Sequence, residues 1–196
     1  MIHRFRTVRI FTYTNGTVRV LNDVAFVGCR TVAMLGGAAA EIAVAEEKTA
    51  DFSTMTFEAD TSVVKTGSGS LKLGASVPSS LAVNAGRLAV GAATDYGSAL
   101  TLGEGATLHF AAAGASFASL AGLNAASVTF DESALKPGAV LFTTSDAELA
   151  AAMAAKILPL VESFSGDRRT LVAAEDGNSR TAFKVVSKRG LKVIVK

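Results

Sequence analysis

The residues of this chain that could do chemistry are few and widely spaced. It has two histidines, His3 and His109, and one cysteine, Cys29. A zinc site needs about four Cys, His or carboxylate donors at short spacings, and these three residues do not supply them. A single cysteine excludes an intrachain disulfide. Cys29, between Gly28 and Arg30 at an expected strand end, reads as a partly buried thiol, because a reactive one needs an exposed electropositive pocket. Gly103-x-Gly105 begins like a dinucleotide fingerprint, but no helix and no sixth-position glycine follow, so it reads as a corner. Asp131-Glu132 are neighbours on an extended chain and point apart. They read as turn carboxylates, with a weak Ca²⁺ site as the alternative. Arg168-Arg169 reads as the solvated start of a strand. Between Val63 and Phe130 the charged residues are Lys65, Lys72, Arg87, Asp95 and Glu104. Acid–base chemistry on a glycan needs carboxylates, with Arg or Lys, converging on one face, and this set is too sparse to converge. No catalytic, cofactor-binding or metal-binding residue is assigned.

The elements that carry these residues are repeats. From Val63 the chain reads VVKTGSGSLKLG, SSLAVNAGRLAVG, GSALTLGEGATLHF and ASFASLAGLNAASVTF. Each piece alternates apolar and small or polar residues, the period-two pattern of a strand with one buried face. Val44, Val64, Val83, Leu102 and Leu120 follow one another at 20, 19, 19 and 18 residues. Phe57, Leu73, Val90, Phe110 and Phe130 follow at 16, 17, 20 and 20. Two interleaved series of similar period imply a solenoid with at least two strands per coil. The inward set is Leu71, Leu73, Leu81, Val83, Leu88, Val90, Leu100, Leu102, Leu108, Phe110, Leu120, Val128 and Phe130. The outward set is Lys72, Ala82, Ala89, Thr101, His109 and Thr129, which makes His109 an exposed histidine. Gly67-Ser68-Gly69, Asn84-Ala85-Gly86 and Gly103-Glu104-Gly105 supply corners too short for a helical crossover.

The run Lys65-Thr66-Gly67-Ser68-Gly69-Ser70-Leu71-Lys72-Leu73, followed by Leu81-Ala82-Val83-Asn84-Ala85-Gly86-Arg87-Leu88-Ala89-Val90-Gly91, resembles the autotransporter-associated β-strand repeat of bacterial surface and secreted proteins. The likeness continues more weakly through Gly105–Phe110 and covers about a third of the chain. It implies a right-handed parallel β-helix, exported across the envelope, with no catalytic residue in the repeat. The linker Gly74–Ser80 is shorter than the family's and lacks its Tyr-Gly element, and no membrane barrel follows.

Residues 7 to 62 read as earlier, less regular coils, with strands at Thr17–Val20, Val24–Val27, Thr31–Met34, Glu41–Val44 and Met55–Phe57, and a solvated loop at Glu46–Asp51. The solenoid thus spans residues 1–130, regular from 63. Residues 131–196 read as a C-terminal cap. Asp131–Gly138 is a turn and Ala139–Thr144 a strand. A capping box on Ser145 and Glu148 opens a helix with Leu149, Ala152, Met153 and Ile157 on one face, ended or bent by Pro159 near Lys156–Leu158. Strands at 169–172, 181–186 and 190–195 form an antiparallel meander. The fold class is therefore all-β, a parallel β-helix with a helix-and-meander cap.

Composition narrows the function classes. A formal net charge of +2 gives no strong pull toward nucleic acid. No apolar run reaches the roughly 18 residues of a membrane span. The basic start, Met1–Arg6, is not followed by an apolar signal-peptide segment, so either the protein is cytoplasmic or the chain is a fragment of a longer exported one, and the fragment is the expectation. The expected role is a non-catalytic structural or adhesive segment at the cell surface or outside the cell, monomeric, with glycans or surface proteins as partners. The alternative is a carbohydrate-binding or carbohydrate-cleaving β-helix, for which Tyr96 is the candidate exposed aromatic.

Overall fold

The computed structural model describes residues 3–4, 10–14, 17–25, 31–35, 39–57, 60–91, 94–166 and 168–188. The chain winds in stacked coils and lays strands on three faces. β1 (His3–Arg4) and β2 (Ile10–Thr14) lie on the second and third faces. The next coil is β3 (Thr17–Val20), β4 (Val24–Ala25) and β5 (Thr31–Leu35), and the one after it β6 (Ala40–Val44), β7 (Thr49–Phe52) and β8 (Thr56–Phe57). β9 (Ser62–Thr66) and β10 (Ser70–Leu73) continue the first and second faces. β11 (Ser80–Val90) bends through both. β12 (Asp95–Phe110) starts on the third face and runs round the next two, and β13 (Ala115–Ala121) goes from the third face to the first. β14 (Ser127–Phe130) and β15 (Val140–Thr144) complete the last coil.

Like strands pair in parallel with like strands. On the first face Ile42, Lys65, Val83 and Leu102 are in register from coil to coil. On the second, Ala50, Leu71, Leu88, Leu108 and Val128 form one column. All but Val128 are fully buried, and Val128 nearly so. On the third, β2, β5 and β8 pair at one end, and Tyr96, Phe117 and Thr144 are in register further along. Coils stacked about 4.8 Å apart thus bring side chains some 20 residues apart in sequence into van der Waals contact. Burying each Leu of such a column is worth about 1.5–3 kcal/mol, which is why period-two alternation specifies this fold. The parallel β-helix expected from the repeats is the fold observed.

The third face alters the expected register. Val64 is half-buried and pairs with Glu41, so the inward residues of β9 are Val63 and Lys65. Leu73 pairs with Phe52, while Phe57 belongs to the third face. Leu120 is in register with Leu100, not Leu102, and is only half-buried. Glu46–Asp51 is not wholly a loop, since Thr49–Phe52 is a strand with Ala50 fully buried. Charged residues around one small inward side chain concealed it.

Corners work by close backbone approach. Gly86 has φ +73°, and a Cβ there would fall 2.4 Å from the Gly67 carbonyl oxygen of the coil below. Gly122, at φ +76°, would place one 1.9 Å from the Leu102 carbonyl oxygen. Only glycine fits both the left-handed conformation and the space.

The cap closes the last coil. A 3₁₀ turn at Glu132–Leu135 buries Ala134 and Leu135. Helix α1 (Ala147–Phe164) is N-capped by Asp146 rather than Ser145, the Asp146 Oδ1 accepting from the N–H groups of Glu148 and Leu149 at 2.9 and 3.0 Å. Its buried stripe is Leu149, Ala150, Met153, Ile157 and Val161, and Ala152 faces solvent. The helix continues past Pro159 to Phe164. The proline costs about 3 kcal/mol or more, but Ile157 and Val161 are fully buried on either side of it, and two such burials return about 3–6 kcal/mol. β16 (Arg169–Glu175) and β17 (Thr181–Ser187) form an antiparallel hairpin, and β17 pairs with β15. The cap therefore extends the third-face sheet in antiparallel sense. Phe183 stacks on Phe142 at 4.4 Å, and Phe142 meets Phe110 at 6.1 Å and Phe117 at 6.3 Å. The third expected cap strand, 190–195, lies outside the described residues.

This arrangement gives a first expected result. A chain ending at Phe130 exposes Phe110, Phe117 and the open ladder of the last coil. It should elute from size exclusion as large oligomers or aggregates. A well-behaved small species would mean that the coil end is protected some other way.

Candidate functional site

The second face carries the one histidine whose side chain is described. His109 sits on the outer side of β12, between inward Leu108 and Phe110, as alternation requires. It is nonetheless buried, with only 8% of its surface exposed, which corrects the exposed position expected for it. The next coil supplies the cover. Thr129 is in register with His109, and its Oγ1 lies 2.9 Å from Nδ1. Asp131, just beyond β14, places Oδ1 3.3 Å from Nε2. A carboxylate only accepts, so Nε2 carries the proton toward Asp131, and in the neutral ring Nδ1 accepts from the Thr129 hydroxyl. Burial pulls the imidazole pKa down, Asp131 pulls it back up, and Arg87 adds to the lowering; the net direction is down. The three side chains tie the last two coils and the start of the cap together. Asp131 and Glu132 do not converge: Asp131 binds His109, and Glu132 accepts from Arg169 at 3.1 Å.

Lys65 is the second titratable group that its environment controls. Its side chain points into the solenoid and is fully buried. Nζ donates to the carbonyl oxygens of Thr66 at 3.0 Å and Ala85 at 2.8 Å, and to that of Gly67. These three bonds use all the donors of the ammonium. Burial pulls its pKa from 10.5 down to about 8. From sequence Lys65 is one of five sparse charged residues, and the series through Val64 gives no inward place to it; the register with Ile42 and Val83 turns it inward.

Other polar groups link rungs of the ladder. Glu41 accepts from Thr17 at 2.5 Å and from Thr66 at 2.6 Å, one from the coil on each side, and these bonds hold its carboxyl below the usual range. Lys72 pairs with Asp51 at 3.0 Å. Asp95 lies 3.9 Å from Arg180 of the cap. Tyr96, the candidate exposed aromatic, is buried and stacks on Phe117 with centroids 5.3 Å apart. It belongs to the third-face core and offers no platform to a sugar. A groove of about 480 Å³ at the corner of the second and third faces is lined by Ser53, Lys72, Leu73, Gly74, Ala89 and Val90, among others. Lys72, its charged group, is already paired with Asp51.

Among the described residues, no group of three or more His, Cys, Asp or Glu is placed to hold a metal ion. None of their helices is long and apolar enough to cross a membrane. Cys29 and the His3 side chain lie outside the described residues. No protein-family model, curated protein or solved structure matches this chain.

Proposed function

We propose that this chain is a non-catalytic structural segment, a rigid β-helical stalk of a surface or secreted protein of the autotransporter-passenger kind. The observation that supports this reading is the use made of its charged side chains. Glu41, Asp51, Lys72 and Lys65 are engaged between adjacent coils or at corners, where they fix the stacking rather than converge on a shared cleft. Binding to glycans or surface proteins would then fall to the faces of the stalk, or to sequence joined to it. The fold alone does not decide function; the disposition of these groups carries the reading. The burial of Tyr96 removes the aromatic on which the carbohydrate-cleaving alternative leaned.

Incubation of the purified chain with a panel of acidic and neutral polysaccharides is the direct test. No turnover is expected. Turnover that disappears in folded His109→Ala or Asp95→Ala protein would overturn the proposal. Surface accessibility of the chain to added protease on intact producing cells tests the location, and complete protection would argue against a surface stalk.

A further inference from the structure

The cluster around His109 has a geometry that the stalk reading does not use. Thr129 lies on the outer side of β14 and is exposed, while the imidazole it meets is buried. Its hydroxyl oxygen is 2.9 Å from Nδ1. The other ring nitrogen, Nε2, is 3.3 Å from the Asp131 carboxylate. Hydroxyl, imidazole and carboxylate thus form one relay, supplied by β14, β12 and the start of the cap. A hydroxyl nucleophile is activated by such an arrangement, a base within hydrogen-bond reach that is itself oriented by a third group. The tautomer suits the role. With its proton on Nε2 toward Asp131, the ring turns the Nδ1 lone pair to the hydroxyl. The charged groups around the ring are Asp131 and Arg87; burial, with Arg87 adding to it, outweighs Asp131 and favours the neutral ring, the form that can take a proton.

We propose that Thr129 is an acyl-acceptor site, a hydroxyl that takes an acyl group from an activated ester, with His109 as its base and Asp131 as the positioning residue. Oγ1 attacks the carbonyl carbon of the ester as its proton passes to Nδ1. The bond from that carbon to the leaving oxygen then breaks, and the leaving oxygen takes the proton from Nδ1. The products are Thr129 carrying the acyl group as an ester and the free alcohol of the donor. Atoms and charge balance with no redox partner. The ring is buried, so Thr129 rather than His109 meets the ester. Ser133, the next hydroxyl along the chain, is committed elsewhere, since its Oγ donates to the Ala111 carbonyl oxygen at 2.9 Å. One acylation per chain is attachment and not turnover. The site therefore adds a covalent modification to the stalk without resting on the stalk reading.

Incubation of the full chain with p-nitrophenyl acetate, followed by mass spectrometry of its peptides, is the test. Thr101 is the internal reference, exposed on an outer face between Ala82 and Ala121. General-base assistance is worth about 10²–10⁴-fold, so Thr129 should gain its acetyl group at least about a hundredfold faster than Thr101. The rate should follow the neutral imidazole and fall to half at a pH below 6.5. His109→Gln should bring Thr129 down to the rate of Thr101. Asp131→Ala should slow Thr129 at least about tenfold. The Asp131 side chain makes no capping bond to the turn that follows it, so this variant keeps the proposal testable even where His109→Gln fails to fold. Thr129→Val should remove this label and leave the others in place. Thr129 labelled no faster than Thr101 overturns the proposal. So does fast labelling that persists in Asp131→Ala or folded His109→Gln protein, which would show that the cluster only ties the coils together.

Discussion

Leu102→Asp should unfold this protein or bring it to the edge of unfolding, while Thr101→Asp leaves it nearly untouched. The two residues are adjacent on β12 and face opposite ways. Leu102 is 3% exposed and in register with Val83 of the coil below; Thr101 is exposed, between Ala82 and Ala121 on the outer face. Losing the buried Leu side chain costs about 1.5–3 kcal/mol. An unpaired carboxylate in the column costs several kcal/mol more. The sum approaches the roughly 5–15 kcal/mol that holds a domain together. An exposed substitution such as Thr101→Asp typically stays within about 1 kcal/mol. Chemical denaturation of both variants measures the contrast. Equal losses, or a larger loss for Thr101→Asp, would mean that the register of this coil is displaced by one residue, which would exchange the two faces.

The same alternation explains what is legible without the structure. Leu71, Leu88 and Leu108 recur at nearly constant spacing on strands with two or more inward side chains, so the second face can be read, and so can the corners at Gly67 and Gly86. The third face cannot. Its later rungs show a single large aromatic each, Tyr96 and Phe117, flanked by small residues, and one apolar residue sets no period. Tyr96 therefore looks like a corner aromatic. For His109, sequence gives the correct side of its strand and the wrong exposure. Alternation fixes where a side chain points, but its cover comes from Thr129 and Asp131, a coil later in the chain. At α1 the periodicity is right for Leu149, Met153 and Ile157. The cap residue and the helix end are displaced because Asp146 competes with Ser145 for the same N–H groups, and because Val161 holds the helix together beyond Pro159.

Lys65→Met should destabilise the protein by about 2 kcal/mol or more at pH 7, through the loss of charged hydrogen bonds, and the deficit should widen as pH rises. Met matches the length of the side chain but offers no donor to the carbonyl oxygens of Thr66, Gly67 and Ala85 that Nζ now satisfies. A hydrogen bond to a charged group contributes about 1.5–3 kcal/mol, so three together outweigh the gain from no longer burying an ammonium. That gain is set by the pKa of Lys65, held at about 8 in the folded chain against 10.5 in the unfolded one. The difference corresponds to about 3 kcal/mol. Because the folded pKa is the lower one, the unfolded chain binds the proton more tightly between pH 8 and 10.5. Stability from this group therefore rises through that window and is lost again as pH falls below it. Wild type should gain up to about 3 kcal/mol on Lys65→Met across the window, whatever the other lysines do in both proteins. Urea denaturation of the pair at neutral pH and at the upper end of the window checks both parts. A variant as stable as wild type at pH 7 would show that the corner carbonyls do not need the ammonium. A difference that stays flat with pH would show that Lys65 keeps its proton through the window, its three carbonyl partners offsetting burial.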